Sequence, residues 1–101
     1  MPKQRLIRSI SHTTLMRAAD IIKMLGHPER LKIVEVLERR EATVSDIQEA
    51  LRLPQAIVSQ QLAKMRGCGI VAQRRDGIHV HYRIVEPKVH HILRCIRTCD
   101  M

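Results

Sequence analysis

The sequence predicts a mainly α-helical fold that carries one small β-hairpin, and three patterns in its 101 residues indicate this class. Apolar residues recur in five segments at the three-to-four spacing of one helical face. An Asp-Gly pair separates two short segments of strand character, which is a strong signal for a hairpin. The chain is long enough to fill one hydrophobic core only, so we expect one domain.

The first two helices are predicted over residues 13–25 and from Pro28 onward. Gly26 ends the first helix, and Pro28 opens the second because the missing N–H of a proline costs nothing in a first helical turn. We expect the first helix to bury one apolar face, made of Leu15, Ala18, Ala19, Ile22 and Leu25. The second helix should point Leu31, Val34 and Leu37 inward.

Two shorter helices follow, joined by three residues, and together they predict a helix-turn-helix. The sequence from Thr43 to Asp46 is a capping box that starts the third helix. The fourth helix runs from about residue 55 to 66, with Val58, Leu62 and Met65 as its apolar stripe. Its outward side chains can approach base edges and phosphate, although a plain solvated helix surface would look similar. They are Gln55, Ala56, Ser59, Gln60 and Lys64.

A hairpin is predicted after the fourth helix, with strands over residues 70–75 and 78–85 around Asp76-Gly77. A hairpin directly behind a helix-turn-helix is a wing, and Arg74 and Arg75 near its tip would contact DNA phosphates. In the second strand one face carries Ile78, Val80, Tyr82 and Ile84, and the other carries His79, His81 and Arg83.

Pro87 starts a last helix, so the predicted fold is a winged helix-turn-helix of the order α1-α2-α3-α4-β-β-α5. The apolar stripe of this helix is Val89, Ile92, Leu93 and Ile96. The predicted domain spans residues 13–101. Residues 1–12 form a basic N-terminal arm with Lys3, Arg5 and Arg8, for which disorder is one expectation.

The distribution of charge indicates a polyanionic partner. The 18 Lys and Arg residues exceed the 10 Asp and Glu residues by 8 charges, with a net +4 over residues 64–83 and −2 over residues 28–51. One basic region of this kind is typical of nucleic-acid binding. Because Tyr82 is the only Phe, Trp or Tyr, stacking platforms for single strands are missing, and double-stranded DNA fits better.

Other classes of protein fit the sequence less well. It has no run of about 18 apolar residues that could span a bilayer, and residues 1–11 lack the apolar centre of a secretion signal, so we expect a cytoplasmic protein without membrane contact. It has no Gly-rich phosphate loop, His-Glu-x-x-His phrase or nucleophile elbow, so we do not expect an enzyme. One alternative stays open, a small basic dimeric protein that binds an acidic protein partner.

Two phrases in this order of elements resemble the ArsR/SmtB family of bacterial repressors, over residues 13–100. They are Leu25-Gly26-His27-Pro28-Glu29-Arg30-Leu31-Lys32-Ile33 and Leu53-Pro54-Gln55-Ala56-Ile57-Val58-Ser59-Gln60-Gln61-Leu62. The resemblance implies a homodimer, joined through its first and last helices, that places two recognition helices in successive major grooves of a palindromic operator. Gln61 and Pro54 depart from the family pattern, in which His and a capping Ser are common.

The DNA contacts that we predict combine the outward face of the fourth helix with the wing and the start of the third helix. The full set is Ser45, Gln55, Ala56, Ser59, Gln60, Lys64, Arg74 and Arg75.

The metal sites that this resemblance implies are not matched by the residues present. The thiol-rich metal-binding phrase falls on Thr43 to Ile47, where both thiolates are missing. The zinc-site positions on the last helix fall on Glu86 and Lys88, and a lysine offers no lone pair to a metal. We therefore expect no required cofactor.

A thiol-based effector stays open as an alternative. His91, Cys95 and Cys99 could form a soft-metal or metalloid site on the last helix, or the cysteines could be helix residues without a task. Cys68, Cys95 and Cys99 are also the candidates for redox sensing. A bridge between Cys95 and Cys99 is disfavoured, because Cβ atoms four residues apart on a helix lie about 5 to 6 Å apart and a disulfide needs about 3.8 Å.

Overall fold

The computed structural model describes residues 9–99, and over that range it shows five α-helices and one antiparallel hairpin. The order and type of the elements confirm the predicted fold class. The elements are α1 (His12–Met24), α2 (Pro28–Arg39), α3 (Val44–Leu51), α4 (Gln55–Gly67), β1 (Val71–Asp76), β2 (His79–Ile84) and α5 (Pro87–Thr98).

The start of α1 is set by Ser11, whose hydroxyl accepts a hydrogen bond from the Thr14 N–H at 3.2 Å. The helix therefore begins at His12, one residue earlier than predicted. Most of the predicted basic arm, residues 1–8 with its three cations, lies outside the described residues. Within residues 9–99 no helix is both long and apolar enough to cross a membrane.

The helix-turn-helix is defined by a cap at its start and by one left-handed residue in its turn. The predicted capping box is present: the Thr43 side chain accepts from the Asp46 N–H at 3.1 Å, and the Asp46 carboxylate accepts from the Thr43 N–H at 3.0 Å. Arg52 ends α3 with φ of 55° and ψ of 43°, a conformation that few residues other than glycine adopt. The chain reverses there and enters α4 through Pro54.

The hairpin turn lies one residue later than predicted. Asp76 pairs with His79, so the two central residues are Gly77 and Ile78, and Asp76 belongs to β1. Only Gly77 of these two has a positive φ, 64°, which is the pattern of a type II′ turn. The Asp-Gly pair thus signals the hairpin correctly, but its glycine takes the first central position.

Ala42 adds a third, one-residue strand beside β2. Its N–H donates to the Tyr82 carbonyl at 3.2 Å, and the Tyr82 N–H donates to the Ala42 carbonyl at 2.8 Å. Because Ala42 lies between α2 and α3, this bridge attaches the hairpin to the first half of the helix-turn-helix.

The core is formed by one side of each helix and the base of the hairpin. On α4 the predicted apolar stripe is confirmed, since all three of its residues are fully buried. The wider core consists of Ile21, Leu25, Ile33, Val34, Leu37, Ala42, Ile47, Val58, Leu62, Met65, Ile70, Val71, Tyr82, Val89 and Leu93.

The predicted buried face of α1 is wrong in part. Of the five predicted residues, Leu25 is buried and Ala18 is half-buried. Ala19 is exposed, Leu15 is 49 % exposed and Ile22 is 62 % exposed. Ile21, which the prediction did not include, is buried instead. This helix carries apolar residues on more than one face, and only the face that contains Ile21 meets the core of its own chain. A second apolar face of α1 therefore points away from the chain.

Candidate nucleic-acid interface

The outward face of α4 lies open along the helix, as the sequence predicts. Because Val58, Leu62 and Met65 fix the inward face, the opposite side chains project from the body of the protein. Within residues 9–99 none of them makes a side-chain hydrogen bond, so their amide and hydroxyl groups are available to a ligand. These exposed residues are Gln55, Ala56, Ser59, Gln60 and Lys64.

The wing, residues 71–84, separates the two arginines that the sequence analysis treats as a pair. Arg74 and Arg75 are both exposed, but adjacent residues of a strand point to opposite faces. Arg74 lies opposite His81, and Arg75 lies opposite Val80. The structure therefore brings only one of the two arginines to each face of the wing.

The two arginines also differ in their partners. The Arg74 Nε donates to Glu41 Oε1 at 2.8 Å, and its Nη1 lies 4.0 Å from the Asp76 carboxylate. Among residues 9–99 no carboxylate lies within ion-pair distance of Arg75. The positive charge of Arg75 is therefore the more available one for a phosphate.

Ser45, at the second position of α3, is exposed. It lines an open groove of about 570 Å³ between the start of α3 and the hairpin. The groove is lined by Thr43, Val44, Ser45, Asp46, Ile78, His79, Val80 and His81. A DNA contact of Ser45, as predicted, would therefore lie in the groove that His79 and His81 of the wing also line.

A relay of hydrogen bonds joins α4 to the wing. The Arg66 Nη1 donates to Gln73 Oε1 at 3.0 Å, and the Gln73 Nε2 donates to the Tyr82 hydroxyl at 2.8 Å. Gln73 and Tyr82 are cross-strand partners in the hairpin. The relay holds the wing at the C-terminal end of the helix whose exposed face would meet DNA.

Arg30 was missed by the sequence analysis, although it fixes α4 against α1 and α2. It is 8 % exposed, its Nε donates to Gln61 Oε1 at 2.6 Å, and its Nη1 donates to the Met24 carbonyl at 3.0 Å. Gln61, the departure from the family pattern, is thus the partner of a buried cation. A signal was present, because Arg30 lies four residues before Val34 on the inward face of α2.

The candidate sensing residues are not brought together. Within residues 9–99 no group of three His, Cys, Asp or Glu side chains is arranged to hold a metal ion, so His91, Cys95 and Cys99 form no ligand set in one chain. Cys95 and Cys99 are exposed and Cys68 is half-buried, all as free thiols.

Glu86 lies at a position that the family resemblance assigns to a zinc ligand, and both of its carboxylate oxygens accept hydrogen bonds from the protein. Its Oε1 accepts from the Arg17 Nη2 at 3.0 Å, and its Oε2 accepts from the Lys88 N–H at 3.1 Å. The hydrogen bond from the Lys88 backbone, followed by that from Arg17, lowers the pKa of the Glu86 carboxyl. This carboxylate serves as the cap of α5 and as an ion-pair partner.

Comparison with known sequences places this architecture in a family. The family described as "Bacterial regulatory protein, arsR family" matches residues 27–73, from the start of α2 into β1. The transcriptional repressor PagR of Bacillus anthracis is 40 % identical over 88 residues, which are 86 % of this chain and 88 % of that protein. The biofilm growth-associated repressor of Xylella fastidiosa is 34 % identical over 80 residues, covering 79 % and 70 % of the two chains.

Comparison with solved structures finds bacterial transcriptional repressors of the same fold. The crystal structure of the transcriptional repressor PagR of Bacillus anthracis has a TM-score of 0.78 at 38 % identity and covers 85 % of this chain and 99 % of that one. The transcriptional repressor BigR from Xylella fastidiosa has a TM-score of 0.73 at 31 % identity and covers 85 % of each chain. With an exposed recognition helix beside a wing, this chain belongs to the ArsR family of bacterial regulatory proteins and is a DNA-binding transcriptional regulator.

Proposed function

We propose that the protein is a repressor that binds a palindromic DNA operator as a homodimer, with α4 in the major groove and the wing against the phosphate backbone. The exposed polar face of α4 carries this proposal. Gln55 and Gln60 can form paired hydrogen bonds with an adenine edge, and the Ser59 hydroxyl can bond to several bases. The named repressors among its relatives support the direction of regulation.

The homodimer is supported by the apolar face that α1 leaves uncovered. Leu15, Met16 and Ile22 are between 49 % and 62 % exposed. Beside them an apolar groove of about 250 Å³ runs between α1 and α5, lined by Ala18, Ile21, Ile22, Lys88, His91 and Ile92. An apolar surface of this kind marks an interface, and a second copy related by a two-fold axis would match a palindromic operator.

A competition experiment tests base recognition. Operator fragments are selected from random duplex DNA, and the preference for the selected duplex over a scrambled one is measured for the wild type and for Ser59→Ala/Gln60→Ala. Each lost base contact should reduce this preference by about 1–3 kcal/mol. Thr13→Ala, which removes an exposed hydroxyl from α1, is the matched control and should leave the preference unchanged.

Two outcomes would contradict the proposal. The wild type could show no preference for any duplex, which would remove the operator. Alternatively the double variant could keep the full preference, which would show that bases are read elsewhere on the molecule.

A separate prediction concerns the effector. Binding of a soft metal or a metalloid to Cys95 and Cys99, or oxidation of these thiols, would release the protein from DNA. Both thiols are exposed and lie one helical turn apart at the end of α5. Operator binding is titrated with zinc, arsenite and peroxide for the wild type and for Cys95→Ser/Cys99→Ser. Release of DNA by the wild type alone would support the thiol site, and identical curves would reject it.

A further inference from the structure

We infer that Arg17 is a positioning residue that holds the root of the wing against α1 and α5. This inference rests on the proposed function, since the wing matters here as a DNA-binding element. The name Arg17 clamp is used below for Arg17 with its two acceptors, the Cys68 carbonyl and the Glu86 carboxylate.

One guanidinium group joins three parts of the chain that are far apart in sequence. The Arg17 Nη1 donates to the Cys68 carbonyl at 2.9 Å, and the Nη2 donates to Glu86 Oε1 at 3.0 Å. Cys68 is the residue that ends α4, and Glu86 is the residue that caps α5. The planar guanidinium can serve both acceptors at once, which a lysine ammonium on a flexible stem does less well.

Gly69 shows how closely the Arg17 clamp approaches the backbone at the root of the wing. A Cβ atom on Gly69 would lie 3.3 Å from Arg17 Nη2 and 3.9 Å from Nη1. Gly69 also has a positive φ of 78°, so both its conformation and the guanidinium above it favour glycine. The guanidinium therefore lies directly against the segment through which the chain enters β1.

The two chain segments at the root of the wing meet beside this contact. The Val85 N–H, after β2, donates to the Ile70 carbonyl, before β1, at 2.9 Å. Ile70 lies two residues after Cys68, and Val85 lies directly before Glu86. The two acceptors of the Arg17 clamp therefore flank the hydrogen bond between Ile70 and Val85. The entry and exit of the wing are fixed by the same cation.

Glu86 transmits the contact to α5. Its side chain is 10 % exposed, and the oxygen that does not bind Arg17 accepts the Lys88 N–H in the first turn of α5. Because α1 and α5 are the helices of the proposed dimer interface, the Arg17 clamp connects that interface to each wing. The angle between the two wings of a dimer would then depend on Arg17.

The first test needs no DNA and uses the full chain. Hydrogen exchange at the Val85 amide is measured in the wild type, Arg17→Gln and Arg97→Gln. Arg97 is the matched control, because it is also a cation paired with a glutamate, Glu38, but joins α5 to α2 away from the wing. Arg17→Gln should raise the Val85 exchange rate about tenfold or more, because a charge-assisted contact at the root is lost, whereas Arg97→Gln should leave it unchanged.

The second test measures the share of the wing in DNA binding. The slope of log K against log salt is determined for the wild type, Arg17→Gln, Arg75→Ala and the double variant. Loss of both Arg75 contacts in a dimer should lower the magnitude of the slope by about 1.8, and Arg17→Gln should produce part of the same decrease. The slope of the Arg17→Gln/Arg75→Ala variant should change by less than the sum of the two single changes, because Arg17 acts through the wing that carries Arg75, and Arg17→Lys should recover part of the slope.

The outcomes separate this inference from the proposed function. Unchanged exchange at Val85 in Arg17→Gln, or fully additive slopes in the double variant, would overturn the inference. A wild type that prefers no duplex would reject the repressor proposal while the exchange result still decides the role of Arg17. Should Arg17→Gln fail to fold, two milder variants carry the same comparison. Arg17→Lys cannot serve both acceptors of the Arg17 clamp as the planar guanidinium does, and Glu86→Gln removes the charge of Glu86 and one of its two acceptor oxygens.

Discussion

Arg30 shows how a single buried residue orients the recognition helix. Within residues 9–99 its guanidinium donates to neutral acceptors only, Gln61 Oε1 and the carbonyl and sulfur of Met24. A buried cation is tolerated only while its donors are hydrogen-bonded, so each of these acceptors matters more than a surface contact would. Three helices meet at this one side chain.

Replacing Gln61 with leucine should therefore destabilise the protein by about 1–3 kcal/mol, because the Arg30 Nε loses its acceptor while it stays buried. The neighbouring exposed residue gives the control, and Gln60→Leu should change stability by no more than about 0.5 kcal/mol. Urea unfolding at a fixed protein concentration measures both values. Equal effects of the two substitutions would show that the Arg30 contact contributes nothing.

Arg74 and Arg75 should differ in DNA binding because, in the part of the chain that the structure describes, a carboxylate lies close to Arg74 and none lies close to Arg75. Arg75→Ala should lower the magnitude of the salt slope by about 1.8 in a dimer, and Arg74→Ala should lower it by less. Glu41→Gln should release Arg74 and tighten binding to duplex of any sequence. Anisotropy titrations at several salt concentrations measure these effects, and equal slopes for Arg74→Ala and Arg75→Ala would contradict the assignment.

At the scale of the element, α3 depends on the capping box at its start. The hydrogen bond from the Thr43 backbone lowers the pKa of the Asp46 carboxyl below its ordinary value of 3.8. A carboxyl whose pKa falls on folding stabilises the folded state above its ordinary pKa. That contribution is lost as the pH falls through the lowered value.

Thr43→Ala should accordingly lower the free energy of unfolding by about 0.5–2 kcal/mol near neutral pH. Asp46→Asn should also destabilise the protein there, but its difference from the wild type should shrink as the pH falls below 3.8 and through the lowered pKa of Asp46, where the wild-type carboxyl becomes protonated as well. Urea unfolding across this pH range follows the change. A difference that stayed constant down to the lowest pH would argue against an ionised cap.

Local patterns predicted the five helices and the two strands of the hairpin between residues 9 and 99, because helical periodicity, caps and the Asp-Gly turn signal act over a few residues. The bridge of Ala42 to β2 was not predicted, because it joins residues 40 positions apart. The exposed face of α4 was predicted in the same way, because the apolar spacing of Val58, Leu62 and Met65 defines the opposite, buried face. Other features depend on contacts between distant residues, such as Arg74 with Glu41, which are 33 positions apart. On α1 both Ile21 and Ile22 continue an apolar spacing, and periodicity does not say which face meets the chain's own core.

For the whole molecule, the uncovered face of α1 supports the proposed homodimer. Ile22, at 62 % exposure, borders the apolar groove between α1 and α5. A glutamate there would remain solvated in a monomer but would be buried without a partner in the proposed dimer. Ile22→Glu should therefore convert the protein to a folded monomer.

The monomer should bind a full operator at least about a hundredfold more weakly, because the second half-site no longer adds to affinity. Sedimentation equilibrium gives the mass, circular dichroism checks the fold, and anisotropy gives the affinity. Ile78→Ser is the control for mass, since Ile78 is 91 % exposed but lies at the wing tip, so this variant should stay dimeric. If Ile22→Glu keeps the mass of a dimer, the two chains do not join through α1, and the two-fold arrangement of the recognition helices must come from another surface.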